Sequence, residues 1–167
     1  KPFDAESLHA VLFQVIEHQP EDVRHWSPEV PNILVQVVDK ALANAVAAQD
    51  GWDRLPAASR AKILEHAADL MEARMPEYIA LCVKEAGKSL SASVAEVREA
   101  VDFCRYYAGQ SRKLFGHPEK LPGPTGESNE LQLHGRGVFV CISPWNFPLA
   151  IFMGQVAAAL ASGNTVI

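Results

Sequence analysis

The sequence predicts an α/β protein, with a helical N-terminal segment leading into the first βαβ unit of a doubly wound parallel sheet. Three observations carry this prediction. Val94, Val97, Val101, Cys104 and Ala108 recur at alternating spacings of three and four, the stripe of a helix with one buried side. Beyond residue 130 the period changes, and Val138-Phe139-Val140-Cys141-Ile142 is apolar at every position, as in a strand buried on both faces. Residues 149–161 are then apolar nearly all round, and Gly163-Asn164 turns the chain into Thr165-Val166-Ile167. Strand, helix and strand with short links make a βαβ unit, whose crossover is expected to be right-handed.

The elements follow in order. Residues 5–18 are expected to form a short helix with Leu8, Val11, Leu12, Val15 and Ile16 on one side. Pro20, Pro28 and Pro31 then break the chain repeatedly. An alanine-rich helix over about 37–49 should close near Gly51. Pro56 suits the first turn of the next helix, which runs to about residue 74 with Ile63, Ala67, Leu70 and Met71 as its apolar side. Pro76 restarts a shorter helix that Gly87 stops, and Gly116 ends the long striped helix. Residues 117–130 hold three Pro and two Gly and read as a connection, after which Leu131-Gln132-Leu133-His134 alternates like a half-exposed strand. The resulting organisation is an unassigned lead-in over 1–36, helices over 37–130 and the start of a sheet over 131–167.

Composition narrows the classes of function. The 167 residues are 49% apolar and 21% charged, as in an ordinary soluble globular protein, and no apolar run is long enough to span a membrane. The net charge is -5, with the acidic excess concentrated in residues 1–35. Without a basic stripe, nucleic acids and anionic membrane surfaces are poor partners. Three cysteines, none at C-x-x-C spacing, do not make a disulfide framework, and with no signal peptide a reducing cytoplasm is expected. The chain begins with Lys1 and stops within a strand, so a piece of a longer polypeptide is expected. The open edge at Val166-Ile167 would then favour self-association.

Most motif-like matches have plain structural readings. Gly87-Lys88-Ser89 imitates the end of a phosphate-binding loop, but Cys82 stands where that motif needs glycine, so a helix C-cap is the better reading. Ser59-Arg60-Ala61-Lys62 matches S-x-x-K without the partner motifs of that chemistry. None of the six His pairs with another His or a Cys at metal-ligand spacing, so no metal site is expected. Cys82, Cys104 and Cys141 fall on apolar faces, where a thiol is a small hydrophobe with a raised pKa. Phe103, Tyr106 and Tyr107 suit core packing or an interface.

Ser143-Pro144-Trp145-Asn146-Phe147-Pro148 differs from these. It joins the apolar strand to the apolar helix, the position beyond a strand's carboxyl end where open α/β sheets bind ligands. Two prolines fix its path, and Asn146 offers two donors on a neutral amide, suited to stabilising charge on oxygen. The alternative is an Asx-type turn ahead of a helix whose first residue is Pro148.

Here the sequence resembles the aldehyde dehydrogenase superfamily. The resemblance rests on Pro144-Trp145-Asn146-Phe147-Pro148, on Ala157-Ala158-Ala159-Leu160-Ala161-Ser162-Gly163-Asn164-Thr165-Val166-Ile167 and on Glu85-Ala86-Gly87-Lys88. Residues 95–108 and 141–152 are most similar to the glutamate-semialdehyde dehydrogenase domains of the bacterial bifunctional proline-utilisation family, and the match covers roughly 37–167. The resemblance implies a Rossmann-like sheet and NAD-dependent oxidation of L-glutamate γ-semialdehyde to glutamate. A cysteine thiolate attacks the aldehyde in that family, and hydride passes to NAD. Asn146 matches the oxyanion-hole asparagine. Ile142, Ser143, Pro144 and Trp145 match positions lining the cofactor, largely through backbone, and Phe147 matches an aromatic beside the substrate channel. FAD would belong to a separate upstream proline dehydrogenase domain. None of the three cysteines matches the family nucleophile, so the chain alone is expected to be inactive. The other reading consistent with the residues is a non-catalytic helical interaction or regulatory module.

Overall fold

The computed structural model describes residues 22–167. The helix expected over 5–18 lies outside them. The chain divides into two units, one ending at Ala41 and one covering Leu42–Ile167. In the first, a short helix α1 (Val23–Trp26) precedes the start of α2 (Asn32–Arg54), and the Arg24 guanidinium pairs with the Asp22 carboxylate.

Helix α2 is longer than the expected 37–49 and continues through Gly51 to Arg54. Its last turns are held from outside. The Trp52 indole donates to the Leu160 carbonyl at 3.0 Å, and the Gln49 amide donates to the Gly163 carbonyl at 2.9 Å. Those bonds outweigh the roughly 1 kcal/mol that a mid-helix glycine costs. The break comes instead at Pro56, which leads into α3 (Ala57–Ala73).

Helices α4 (Met75–Ala86) and α5 (Leu90–Phe115) complete the helical layer. Val97, Val101, Cys104 and Ala108 of α5 are buried as their spacing predicts. The apolar side of α3 is rotated from the expected one. Ala61, Leu64, Ala68 and Met71 are buried, whereas Ile63 and Leu70 face solvent. The core explains the rotation. Ala100, Cys104 and Ala108 of α5 and Ala157 and Ala161 of the following βαβ helix pack against α3, so the small residues of α3 let the helices approach closely. At the rim, Arg112 grips Glu65 through two bonds of 2.5 and 2.7 Å, and Arg105 reaches Asp69 and Glu72.

The stretch 117–130 is more than a connection. Strands β1 (Glu119–Leu121) and β2 (Asn129–Leu131) form an exposed antiparallel ribbon with Glu119 opposite Leu131. Of the alternating residues 131–134, Leu131 alone is in a strand. The βαβ unit is present. Strands β3 (Val138–Phe139) and β4 (Thr165–Val166) run parallel, with Val138 opposite Thr165, and α6 (Ala150–Ala161) joins them. The Cys141 N–H extends the pairing to the Ile167 carbonyl at 2.8 Å.

The apolar run 138–142 is not enclosed as expected, since Phe139, Val140 and Ile142 are exposed. Such a run belongs to a strand covered on both faces, and among the described residues β4 is the only strand beside it. The carboxyl end of α6 is secured by buried donors. Arg60 and Ser111 reach the Ala161 carbonyl at 3.3 and 2.7 Å. Arg60 also donates to Asp53 and Leu55, capping α2 as a basic group at a helix C-terminus should.

Candidate active site

Helix α4 ends where Gly87 turns left-handed (φ 64°), and the Lys88 N–H closes back onto the Cys82 carbonyl at 3.3 Å. Ser89 immediately caps α5, accepting from the Ala92 N–H at 3.3 Å. Two helices thus meet across three residues, and Lys88 extends from the junction. Its ammonium lies 2.7 Å from Glu96 Oε2, 2.7 Å from the Asn146 carbonyl and 4.5 Å from the Phe147 ring centre.

Glu96 sits on α5 with its side chain almost fully buried, at 1% exposure. Its second oxygen, Oε1, accepts from the Leu149 and Ala150 N–H groups at 3.1 and 2.9 Å. These are amides at the start of α6, which has no side-chain cap of its own. Glu96 supplies that cap from another helix, with its negative charge at the positive end of the α6 dipole. Burial pushes the Glu96 carboxyl up, but the Lys88 ammonium and the Ala150 and Leu149 amides outweigh it and hold the carboxyl below its usual range.

The loop between β3 and α6 is therefore held at several points. At its start, Gln155 of α6 accepts from the Ile142 N–H at 2.9 Å and donates to the Ile142 carbonyl at 3.0 Å. In the middle, the Phe147 N–H donates to the Pro144 carbonyl at 3.1 Å, closing a backbone turn. At its end stand Lys88 and Glu96. Helix α6 begins at Ala150, so Pro148 lies just ahead of the first turn instead of inside it. The turn is closed by backbone, and the Asn146 side chain has no hydrogen-bond partner among the described residues, contrary to the Asx-turn alternative. A neutral amide on a fixed, exposed turn beyond the carboxyl end of β3 can donate one of its two N–H groups to an oxygen brought there.

Residues 14–167 match the profile of the aldehyde dehydrogenase family. The chain belongs to that family. It is 48% identical over 149 residues to the bifunctional protein PutA of Salmonella typhimurium, covering 89% of this chain and 10% of that protein. It is 45% identical to a 1-pyrroline-5-carboxylate dehydrogenase of Anoxybacillus flavithermus, covering 78% of this chain and 25% of the relative. Among solved structures it is similar to a proline utilization A with proline bound in remote sites (TM-score 0.77, 59% identity, 78% of this chain, 14% of that one). It is also similar to a Thermus 1-pyrroline-5-carboxylate dehydrogenase with bound NAD (TM-score 0.68, 40% identity, 73% and 24%). The aldehyde dehydrogenase chain thus spans about a tenth of the PutA length and a quarter of the shorter dehydrogenases it matches.

Within this aldehyde dehydrogenase chain the loop brings together all the sequence-predicted positions, Ile142, Ser143, Pro144, Trp145, Asn146 and Phe147. Three further residues hold them, and the sequence reading missed each one. Lys88 was visible as a rejected phosphate-loop match and at the end of Glu85-Ala86-Gly87-Lys88, neither of which tied it to the loop. Glu96 carried a signal, a carboxylate beside Val97 on the apolar stripe of α5. Gln155 sits on a helix whose apolar composition hid it. The thiols agree with their expected inertness, since burial raises the pKa of Cys82, Cys104 and Cys141.

Proposed function

We infer that these residues form part of an NAD-dependent aldehyde dehydrogenase that oxidises L-glutamate γ-semialdehyde, the open form of 1-pyrroline-5-carboxylate, to L-glutamate during proline breakdown. The observation that carries this reading is the unpartnered Asn146 amide on a turn fixed from both sides, beyond the carboxyl end of a parallel strand. The names of the relatives supply the substrate. On this reading 37–130 is the helical part of the dehydrogenase domain and 131–167 opens its Rossmann-like NAD-binding sheet. A reducing cytoplasm suits its three free thiols. Where the whole protein is bifunctional, FAD belongs to its separate proline dehydrogenase domain.

The loop fits a dinucleotide in part through backbone. Ser143 and Trp145 make no hydrogen bond among the described residues, so their main-chain groups are available to a ligand. The Ile142 main chain is engaged by Gln155, so Ile142 contributes its exposed side chain, as Trp145 does, to an apolar contact with a flat ring. Pro144 fixes the path between them. NAD, when bound, supplies the hydride acceptor. Phe147 flanks the aldehyde. As a nucleophile adds to the aldehyde carbon, the carbonyl π pair moves onto oxygen. Asn146 donates to that oxygen, where such a donor is worth about 2.7–4 kcal/mol.

The test is Asn146→Ala in the full-length enzyme, assayed by 1-pyrroline-5-carboxylate-dependent NADH formation together with a cofactor titration. kcat should fall by roughly 10²–10³ with NAD affinity nearly unchanged. Asn146→Asp should fall further, because a carboxylate repels the developing negative charge. Wild-type kcat in Asn146→Ala, or a loss explained wholly by weaker NAD binding, overturns the reading.

A further inference from the structure

We propose that Lys88 is a positioning residue for Asn146, its ammonium fixing the main chain from which the oxyanion-binding amide extends. The inference rests on the oxyanion reading of Asn146 and adds the group that sets its geometry. Lys88 is nearly buried, at 12% side-chain exposure, and every contact of its ammonium lies at the loop or its support. One face of the ammonium meets Glu96, which fixes the first amides of α6. A second donor meets the Asn146 carbonyl. The Phe147 ring closes the site at 4.5 Å.

Glu96 and Lys88 therefore make one bridge between the start of α6 and the peptide unit of Asn146. A carboxylate alone would fix the first amides of α6 and leave the Asn146 peptide unit free to tilt within the turn that the Phe147 N–H closes on the Pro144 carbonyl. The ammonium removes that freedom, because a desolvated cation with three donors demands its acceptors. Lys88 contacts no reacting atom. Its influence passes through the direction of the Asn146 amide, and a misplacement of about 1 Å in such a group can cost up to about 10²-fold in rate.

The experiment uses the full-length enzyme with Lys88→Met, Asn146→Ala and the double variant, all assayed below their melting temperatures for kcat and for NAD dissociation constant. Lys88→Met should lower kcat about 10- to 100-fold while NAD affinity stays within about twofold. The double variant should be no slower than Asn146→Ala alone, since a misaimed amide and an absent one are equivalent. That pattern supports the proposal. Wild-type kcat in a folded Lys88→Met overturns it and leaves the role of Asn146 standing. A double variant slowed by the product of the two single effects also overturns it, because Lys88 would then act independently. Wild-type kcat in Asn146→Ala overturns the oxyanion reading and this proposal with it. If Lys88→Met does not fold, Lys88→Arg carries the test. Its fork keeps the Glu96 pair but cannot set one nitrogen on the Asn146 carbonyl at the same reach. A kcat lowered at least about threefold supports the proposal, and full kcat overturns it.

Discussion

Gln155 meets Ile142 twice, accepting from its N–H and donating to its carbonyl, so a side chain of α6 continues the hydrogen-bonding pattern of the strand for one residue. A carboxamide carries on two adjacent atoms the donor and the acceptor that this needs. Gln155→Glu keeps the acceptor and removes the donor, and it places a carboxylate against a carbonyl. The start of the loop should loosen. The measurement is a cofactor titration of the full-length enzyme, in which NAD affinity should weaken about tenfold, the equivalent of one lost hydrogen bond of about 1.4 kcal/mol. Unchanged affinity would show that the cofactor does not depend on Ile142 being held.

Glu96 should make stability sensitive to acid. Its carboxyl is lower in the folded chain than its ordinary value. A depressed carboxyl contributes stability above its unfolded pKa, and that contribution is lost as pH falls through the unfolded and then the folded value. Melting temperatures of wild type and Glu96→Gln should therefore differ most near neutrality and converge once pH lies below the folded value, itself under the ordinary 4.5. Parallel melting curves down to that pH would mean that the charge on Glu96 contributes nothing.

Two glycines should respond differently to alanine. Gly87 is left-handed, but a methyl group there meets nothing within 4 Å, so Gly87→Ala should cost only the conformational penalty of about 1–2 kcal/mol. At Gly163 (φ 88°) the added carbon would run into Asp53 Oδ1, a carboxylate already held by the Gly135 N–H at 2.7 Å. Gly163→Ala should therefore be clearly the less stable of the two in urea unfolding. Equal losses would show that Asp53 yields freely.

The 167 residues alone should form no NADH from 1-pyrroline-5-carboxylate. Burial lifts all three thiols away from the reactive thiolate, so none of the cysteines is poised to start the covalent step. Steady turnover by a pure sample of verified mass would contradict this.

How much was legible depended on whether the signal was local. The stripe on α5, the stop at Gly87 and the βαβ unit are written in spacing and composition, and they appear where expected. The apolar side of α3 was misread because Ile63 and Leu70 outweigh alanine on any scale of hydrophobicity. Close approach to α5 and α6 rewards the small residues Ala61 and Ala68 instead. Helix α2 ran past Gly51 because Gln49 and Trp52 bond to residues more than a hundred positions away, which no window along the chain contains. The loop itself was legible from Asn146 and its flanking prolines. Its supports were not, since Lys88 and Glu96 reach it only once α5 is laid beside α6.

The bridge from Lys88 through Glu96 to the start of α6 also governs how this sequence can be recombined with its relatives. A chimera joined within the exposed ribbon at 119–131 would look harmless, because no buried residue is cut there. It would nevertheless separate a cation and its carboxylate from the loop they were matched to, and leave each paired with a stranger. Residues 85–155 should instead be inherited as one block, with crossovers placed before Glu85 or after Gln155.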